Sequence, residues 1–289
     1  MGCTEGASGP VKRIERFFGY ARERYRIFLA RRSGLPAPWT VDPILRVNRF
    51  CNVFREDDRT TIWFRDNVRE PLRNSPDVLF ATIAFRWFNR IETGEILRRG
   101  GLLVRWSEKR ARALLENVRP LVTGSFMVQS PYGKNKLEGM LEMCSAAWER
   151  RGELLEAVRR AGTLEGATRE LQVLENVGGF VAYEIVTDLR HTWLLEGAPD
   201  INSWANPGPG ATRGAKWVAR GTVAAPMSRA AILDFMQYLL ACSLVKPYWP
   251  QAWPRWEMRE VEHTLCEVFK YQRCQNGGKT KVLFRNGGK

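Results

Sequence analysis

The 289-residue chain carries 45 Lys plus Arg against 31 Asp plus Glu, a net charge of +14, and its pI is near 9.9. Such an excess favours a polyanionic partner through counterion release and electrostatic steering. An anionic membrane surface would attract it too, but no apolar run approaches the roughly 18 residues needed to span a bilayer, and no secretory h-region is visible.

A hydrophobic share of 44% is enough for a sizeable core, in one large domain or two small ones. The start, Met1 to Gly6, is similar to a myristoylation signal but has Gly6 where Ser or Thr is expected. The six cysteines (Cys3, Cys51, Cys144, Cys242, Cys266, Cys274) form no CxxC pair and only His191 and His263 accompany them. Zinc and iron–sulfur sites are therefore not expected, and the thiols are read as reduced, which fits a soluble cytoplasmic protein.

In chain order, residues 1–10 read as a loose tail and 11–275 as a single helical domain. Val11 to Arg32 is a basic amphipathic helix with Ile14, Phe17, Phe18, Tyr25 and Phe28 on its apolar side. Gly34 to Pro43 holds three prolines and is expected as a loop. Helices are expected at 42–52, 55–70 and 76–91. The clearest one is 137–160, where Leu137, Leu141, Cys144, Trp148, Arg151, Leu155 and Val158 step by three and four. A helix–hairpin–helix is expected at 171–190, and further helices at 228–245 and 256–273. Short strands are expected at Leu102–Trp106, Gly124–Val128 and Lys281–Phe284, and residues 276–289 form a basic tail.

Four stretches could carry chemistry. In the hairpin, Asn176, Gly178 and Gly179 offer a tight turn and bare amide N–H groups for phosphate oxygens, while Val181, Ala182, Ile185, Val186 and Leu189 dock the second helix on a core. An ordinary helical corner with a glycine cap is the plain alternative. Arg49, Asn52, Arg55, Glu56 and Arg59, interleaved with Phe50 and Phe54, mix forked donors with stackable rings. Read as consecutive helical turns, they suit phosphates and the Watson–Crick edge of an extruded pyrimidine; a salt-bridged helix face is the alternative. From Asn202 to Trp217, glycine and proline suggest a rigid loop beside Asp200, with Thr212, Arg213 and Lys216 as anion donors. In the last stretch, His263, Cys266 and Lys270 share one helical stripe with Glu262 at its edge. There His263 could take a proton and Lys270 hold a phosphate.

Glu23-Arg24 through Arg31-Arg32, Pro38-Trp39-Thr40-x-Asp42-Pro43-Ile44-Leu45 and Arg49-Phe50-x-Asn52-Val53-x-Arg55-Glu56 resemble the phage thymine-hypermodification proteins. These are the alpha-glutamyl/putrescinyl-thymine pyrophosphorylases, or amino acid:DNA transferases, and the related helical domain attached to hydroxymethyluracil DNA kinases. The resemblance continues through Thr123-Gly124-Ser125-Phe126, the hairpin, Gly208-Pro209-Gly210-x-x-Arg213-Gly214 and Glu262-His263. It implies an all-α, helix–hairpin–helix DNA glycosylase-like fold, with Asp200 about two residues beyond the usual place of the glycosylase aspartate and Phe180 where lyases carry lysine.

The implied chemistry is displacement of phosphate or pyrophosphate from a flipped 5-hydroxymethyluracil base by the amine of an amino acid or polyamine. No cofactor or metal is expected. The expected setting is a monomer acting on double-stranded DNA with modified thymine, in the cytoplasm of a phage-infected host and away from membranes. Arg49, Arg55, Arg213, Lys216 and Lys270 would neutralise phosphate, Asn52 would read the base, Asp200 or His263 would deprotonate the amine, and Glu56 would hold its ammonium. A glycosylase excising a modified base, or a non-catalytic module binding modified DNA, are the alternatives.

Overall fold

A computed structural model describes residues 9–123, 130 and 134–278. Among them the chain is all helical, with thirteen α-helices and no strand. In order these are α1 (Pro10–Arg32), α2 (Pro43–Val47), α3 (Arg59–Phe64), α4 (Asp77–Phe88), α5 (Ile91–Arg99), α6 (Glu108–Leu115) and α7 (Lys136–Glu149). They continue with α8 (Arg151–Ala161), α9 (Leu164–Leu171), α10 (Gly179–Leu189), α11 (Pro209–Arg220), α12 (Arg229–Ser243) and α13 (Met258–Gln275). None is long and apolar enough to cross a membrane. The contacts divide the chain into two compact units, Met1–Asp58 with Asn202–Lys289, and Arg59–Ile201.

In the first unit, α1 starts on Pro10 at its first turn and ends with Arg31 and Arg32, placements that suit the helix ends. Its inner face buries Ile14, Phe17, Phe18, Ala21 and Tyr25. Arg13 donates to the carbonyls of Val218 (2.9 Å) and Ala219 (2.9 Å), satisfying the otherwise orphaned end of α11.

The segment from Asn202 to Trp217 departs from the expected loop, because Gly208 caps a helix that begins at Pro209 and runs to Arg220. Its glycines serve packing. A Cβ on Gly214 would run into the backbone carbonyl of Leu265, and one on Gly210 into the Cys266 thiol. Spaced by four, Gly210 and Gly214 let α11 press directly on α13. A capping box of Glu257 and Glu260 starts α13.

Residues 42–52 and 55–70 also depart from long helices. Asp42 caps α2 by accepting from Ile44 (2.8 Å) and Leu45 (2.9 Å), but the helix stops at Val47, with Asn48 extended. Downstream, Asp58 accepts from the Asn52 N–H (3.3 Å), and Arg55–Asp57 form a single 3-10 turn. Side chains here compete for backbone groups that a helix would use. Beyond it lie α3 and a π-helical turn at Arg65–Arg69.

The second unit is built around α4, in which every residue from Val78 to Phe88 is buried, as expected for a helix apolar on all sides. Its one cation, Arg86, pairs in bidentate fashion with buried Asp188 of α10, at 2.5 and 2.9 Å. The expected helix at 137–160 is two, α7 and α8, hinged at Arg150. Leu102–Trp106 is a turn following Gly101 at φ +67, not a strand. The expected strands at Gly124–Val128 and Lys281–Phe284, and Gly124–Met127 of the Thr123 motif, lie outside the described residues.

Between α9 and α10 the left-handed residue is Asn176, φ +60. Gly178 caps α10 at φ −76, a conformation open to any residue. A Cβ there would meet nothing within 4 Å.

Candidate functional site

A dense group of ionisable side chains in the first unit gathers where α1, the segment Phe50–Asp58 and α13 meet. Tyr20 and Arg24, one turn apart on α1, point into the protein and are both 6% exposed. Arg24 donates to Asn52 Oδ1 (2.5 Å) and the Phe50 carbonyl (3.3 Å). Asn52 Nδ2 in turn donates to the Asp57 carbonyl (2.8 Å), so both ends of its amide are engaged within the fold.

From α13, Glu267 accepts from the Cys51 N–H (2.8 Å) and from Lys270 (3.3 Å). Lys270 also donates to the Arg49 carbonyl (2.7 Å) and sits 4.7 Å over the Phe50 ring. Nearby, Thr40 donates to Glu23 of α1 (2.6 Å), and Tyr271 of α13 donates to Asp42. These bonds pin the irregular segment between the two helices.

Two donors of this group have no partner among the described residues. Arg24 Nη1 and Tyr20 Oη are fully buried without a hydrogen bond, a costly state for polar atoms. Opposite charges surround them. Asp58 has its carboxyl pushed up to about 6 by burial; the Asn52 N–H and the charges of Arg24 and Arg55 oppose the rise, and Glu267 adds to it. Burial and then Glu267 push the Tyr20 hydroxyl up, and the same causes push the Cys266 thiol up to about 12. Cys266 is therefore a poor nucleophile, whereas a carboxyl near 6 can exchange protons around neutral pH.

The residues expected from sequence fall in both units. In the first, Arg55 is buried and Glu56 half-buried in the 3-10 turn, Arg49 is exposed, and His263 is half-buried on α13. Arg213 (exposed) and Lys216 (half-buried) lie one turn apart on α11. In the second unit, Asn176 and Gly178 are exposed. Asp200 has both carboxylate oxygens occupied by the N–H groups of Leu164 (2.7 Å) and Glu165 (2.9 Å). It closes the start of α9, as capping residues do.

Sequence reasoning assigned no role to Tyr20, Arg24, Asp58 or Glu267. A signal for Arg24 existed: it interrupts the apolar stripe of α1 between Ala21 and Tyr25.

The family described as "5-hmdU DNA kinase, helical domain" matches residues 11–280. The chain belongs to that family. A relative, the 5-hmdU DNA kinase of Bacillus phage SP10, is 26% identical over 268 aligned positions, which cover 83% of this chain and 41% of the relative. The chain thus spans less than half the length of that kinase. No solved structure matches it significantly.

Proposed function

We propose that this protein is an amino acid:DNA transferase of the thymine-hypermodification type. In this reading it acts on double-stranded DNA carrying phosphorylated or pyrophosphorylated 5-hydroxymethyluracil, flips that base, and replaces the leaving group with an amine. The observation that carries the reading is Asp58, a carboxyl raised to about 6 and set among arginines. It is a proton acceptor beside groups that stabilise negative charge. Membership of a family defined on a kinase of the same modified base supports the substrate.

In the proposed step, ionised Asp58 takes one proton from the ammonium of the donor. The amine nitrogen then forms a bond to the exocyclic methylene carbon as the C–O bond breaks. Phosphate leaves with the bonding pair, and the product nitrogen keeps its remaining protons as a secondary ammonium. Arg55, Arg49, Arg213 and Lys216 are assigned to phosphate groups of substrate and backbone. Lys270, tied to Glu267 and the Arg49 carbonyl, orders the segment instead.

Asn52 is assigned as a brace, Asp200 as the lock on α9, and Glu56 and His263 as secondary candidates for holding the ammonium or relaying a proton. Asn176, Gly178 and Gly179 are proposed to receive the DNA backbone in a helix–hairpin–helix manner. The open space beside Gly178 supports this, since nothing within the fold requires a glycine there.

One further reading has a specific observation behind it. The match covers the helical part of a longer kinase, so the chain could serve as a non-catalytic module that grips modified DNA. A single-turnover assay on duplex DNA bearing phosphorylated 5-hydroxymethyluracil, with labelled glycine or putrescine, separates the two. The transferase reading expects label in the DNA and its loss by at least 100-fold in Asp58→Asn. Binding without turnover of either donor supports the module, and release of free base marks a glycosylase.

A further inference from the structure

We infer that the buried group around Tyr20 and Arg24 is a binding pocket for a small zwitterionic amino acid. The donor carboxylate is held by Arg24 Nη1 and Tyr20 Oη, and its ammonium by Asp58. This inference rests on the transferase reading above and assigns the residues that hold its donor, an α-amino acid rather than a polyamine.

The two unpartnered donors are the starting point. Tyr20 Oη and Arg24 Nη1 belong to residues four apart on α1, so they share one face. Both are sealed from solvent without a hydrogen bond. Nη2 of the same guanidinium donates to the Phe50 carbonyl and Asn52 Oδ1, which fixes the plane in which Nη1 lies. A hydroxyl beside a guanidinium N–H recognises an oxyanion.

The surrounding charges decide which oxyanion. Asp58 accepts one long bond, from the Asn52 N–H at 3.3 Å, and Glu267 stands in the same group. Two carboxylates repel a doubly charged phosphate, yet one with open lone pairs pairs well with an ammonium. A zwitterion satisfies both ends; phosphate satisfies one, and a diamine leaves the Arg24 and Tyr20 donors unpartnered. The ligand is small because the Phe50 and Tyr271 rings lie 5.9 and 5.2 Å from that of Tyr20. Ammonium and proton acceptor are then already in contact, which is the geometry that amine activation requires.

The informative variant is Tyr20→Phe. It deletes an atom that bonds to nothing in the fold, so the melting temperature should hold or rise. Glycine affinity, measured by calorimetry on the full chain, should fall about 3- to 10-fold. Arg24→Met should lose glycine binding altogether, with Arg24→Lys recovering part of it. Inorganic phosphate should bind the wild type at least 10-fold more weakly than glycine. The pocket is refuted by unchanged glycine affinity in Tyr20→Phe, by absence of glycine binding in the wild type, or by phosphate binding more tightly than glycine.

Transfer assays keep the two ideas apart. If putrescine is transferred to DNA and glycine is neither bound nor transferred, the transferase stands and the pocket falls. If glycine binds in the manner described and no donor is transferred, the pocket stands and the transferase falls.

Discussion

Asp58 shows how one side chain ties stability to chemistry. Its folded pKa, about 6, lies above the ordinary 3.8, so the native state holds a proton that the unfolded chain has released. Its neutral form is therefore favoured by folding. That contribution is fully present below about pH 4 and is lost as pH rises through 6. Asp58→Asn, a neutral isostere, should melt higher than the wild type at pH 7.5, by an amount corresponding to about 1–2 kcal/mol for a partly exposed carboxyl. The gap should close by pH 4. Thermal melts at the two pH values check this; equal melting at pH 7.5 would mean that the carboxyl titrates normally. The proposed transfer would run the other way, since it needs the ionised form and should rise with pH through about 6.

Among the helices, the contrast between two glycines is the most telling. Gly214 faces the backbone carbonyl of Leu265, which has no freedom to yield, whereas Gly178 faces open space. Gly214→Ala should destabilise by about 1–3 kcal/mol, the cost of overpacking a close helix crossing. Gly178→Ala, at φ −76, should change stability by less than about 0.5 kcal/mol and yet, on the proposed hairpin contact, weaken DNA binding, because the methyl would stand where the phosphate is proposed to approach. Denaturant unfolding paired with DNA titrations distinguishes the two. Equal destabilisation by both would remove the reason to see Gly178 as a contact point.

Across the whole molecule, the excess of 14 positive charges argues that the proposed DNA binding would be dominated by phosphate contacts. Log Kd should then rise steeply with log salt concentration. Among the described residues Arg213 and Lys216 of α11 have no ion-pair partner, and their double replacement by Ala should lower that slope by about 2. An unchanged slope would place the DNA on another face. Much of the fold was legible in the sequence. The helices α1, α12 and α13 follow from apolar residues spaced by three and four, α4 from a nearly unbroken apolar run, and end residues such as Pro10, Ser228 and the Glu257/Glu260 pair agree with them. Periodicity stated over many residues survives because burying a whole face outweighs local preferences.

The breaks were less legible. Asn48 and Asp58 end helical runs by side-chain bonds to nearby backbone, a competition that apolar spacing does not register. Gly208-Pro209-Gly210 reads as a loop until the partner helix is seen, since only the crossing with α13 rewards small residues in a helix interior.

Charge, helical content and kinship with the hydroxymethyluracil kinase helical domain were fixed by composition and pattern, because those are properties of the chain itself. Which carboxylate is raised, that Asp200 is occupied by α9, and that Tyr20 and Arg24 end as unpartnered donors were decided by the fold. Protonation and hydrogen bonding depend on what lies within a few ångströms, and residues as far apart as Arg24, Asp58 and Glu267 become neighbours only when α1 and α13 close around them.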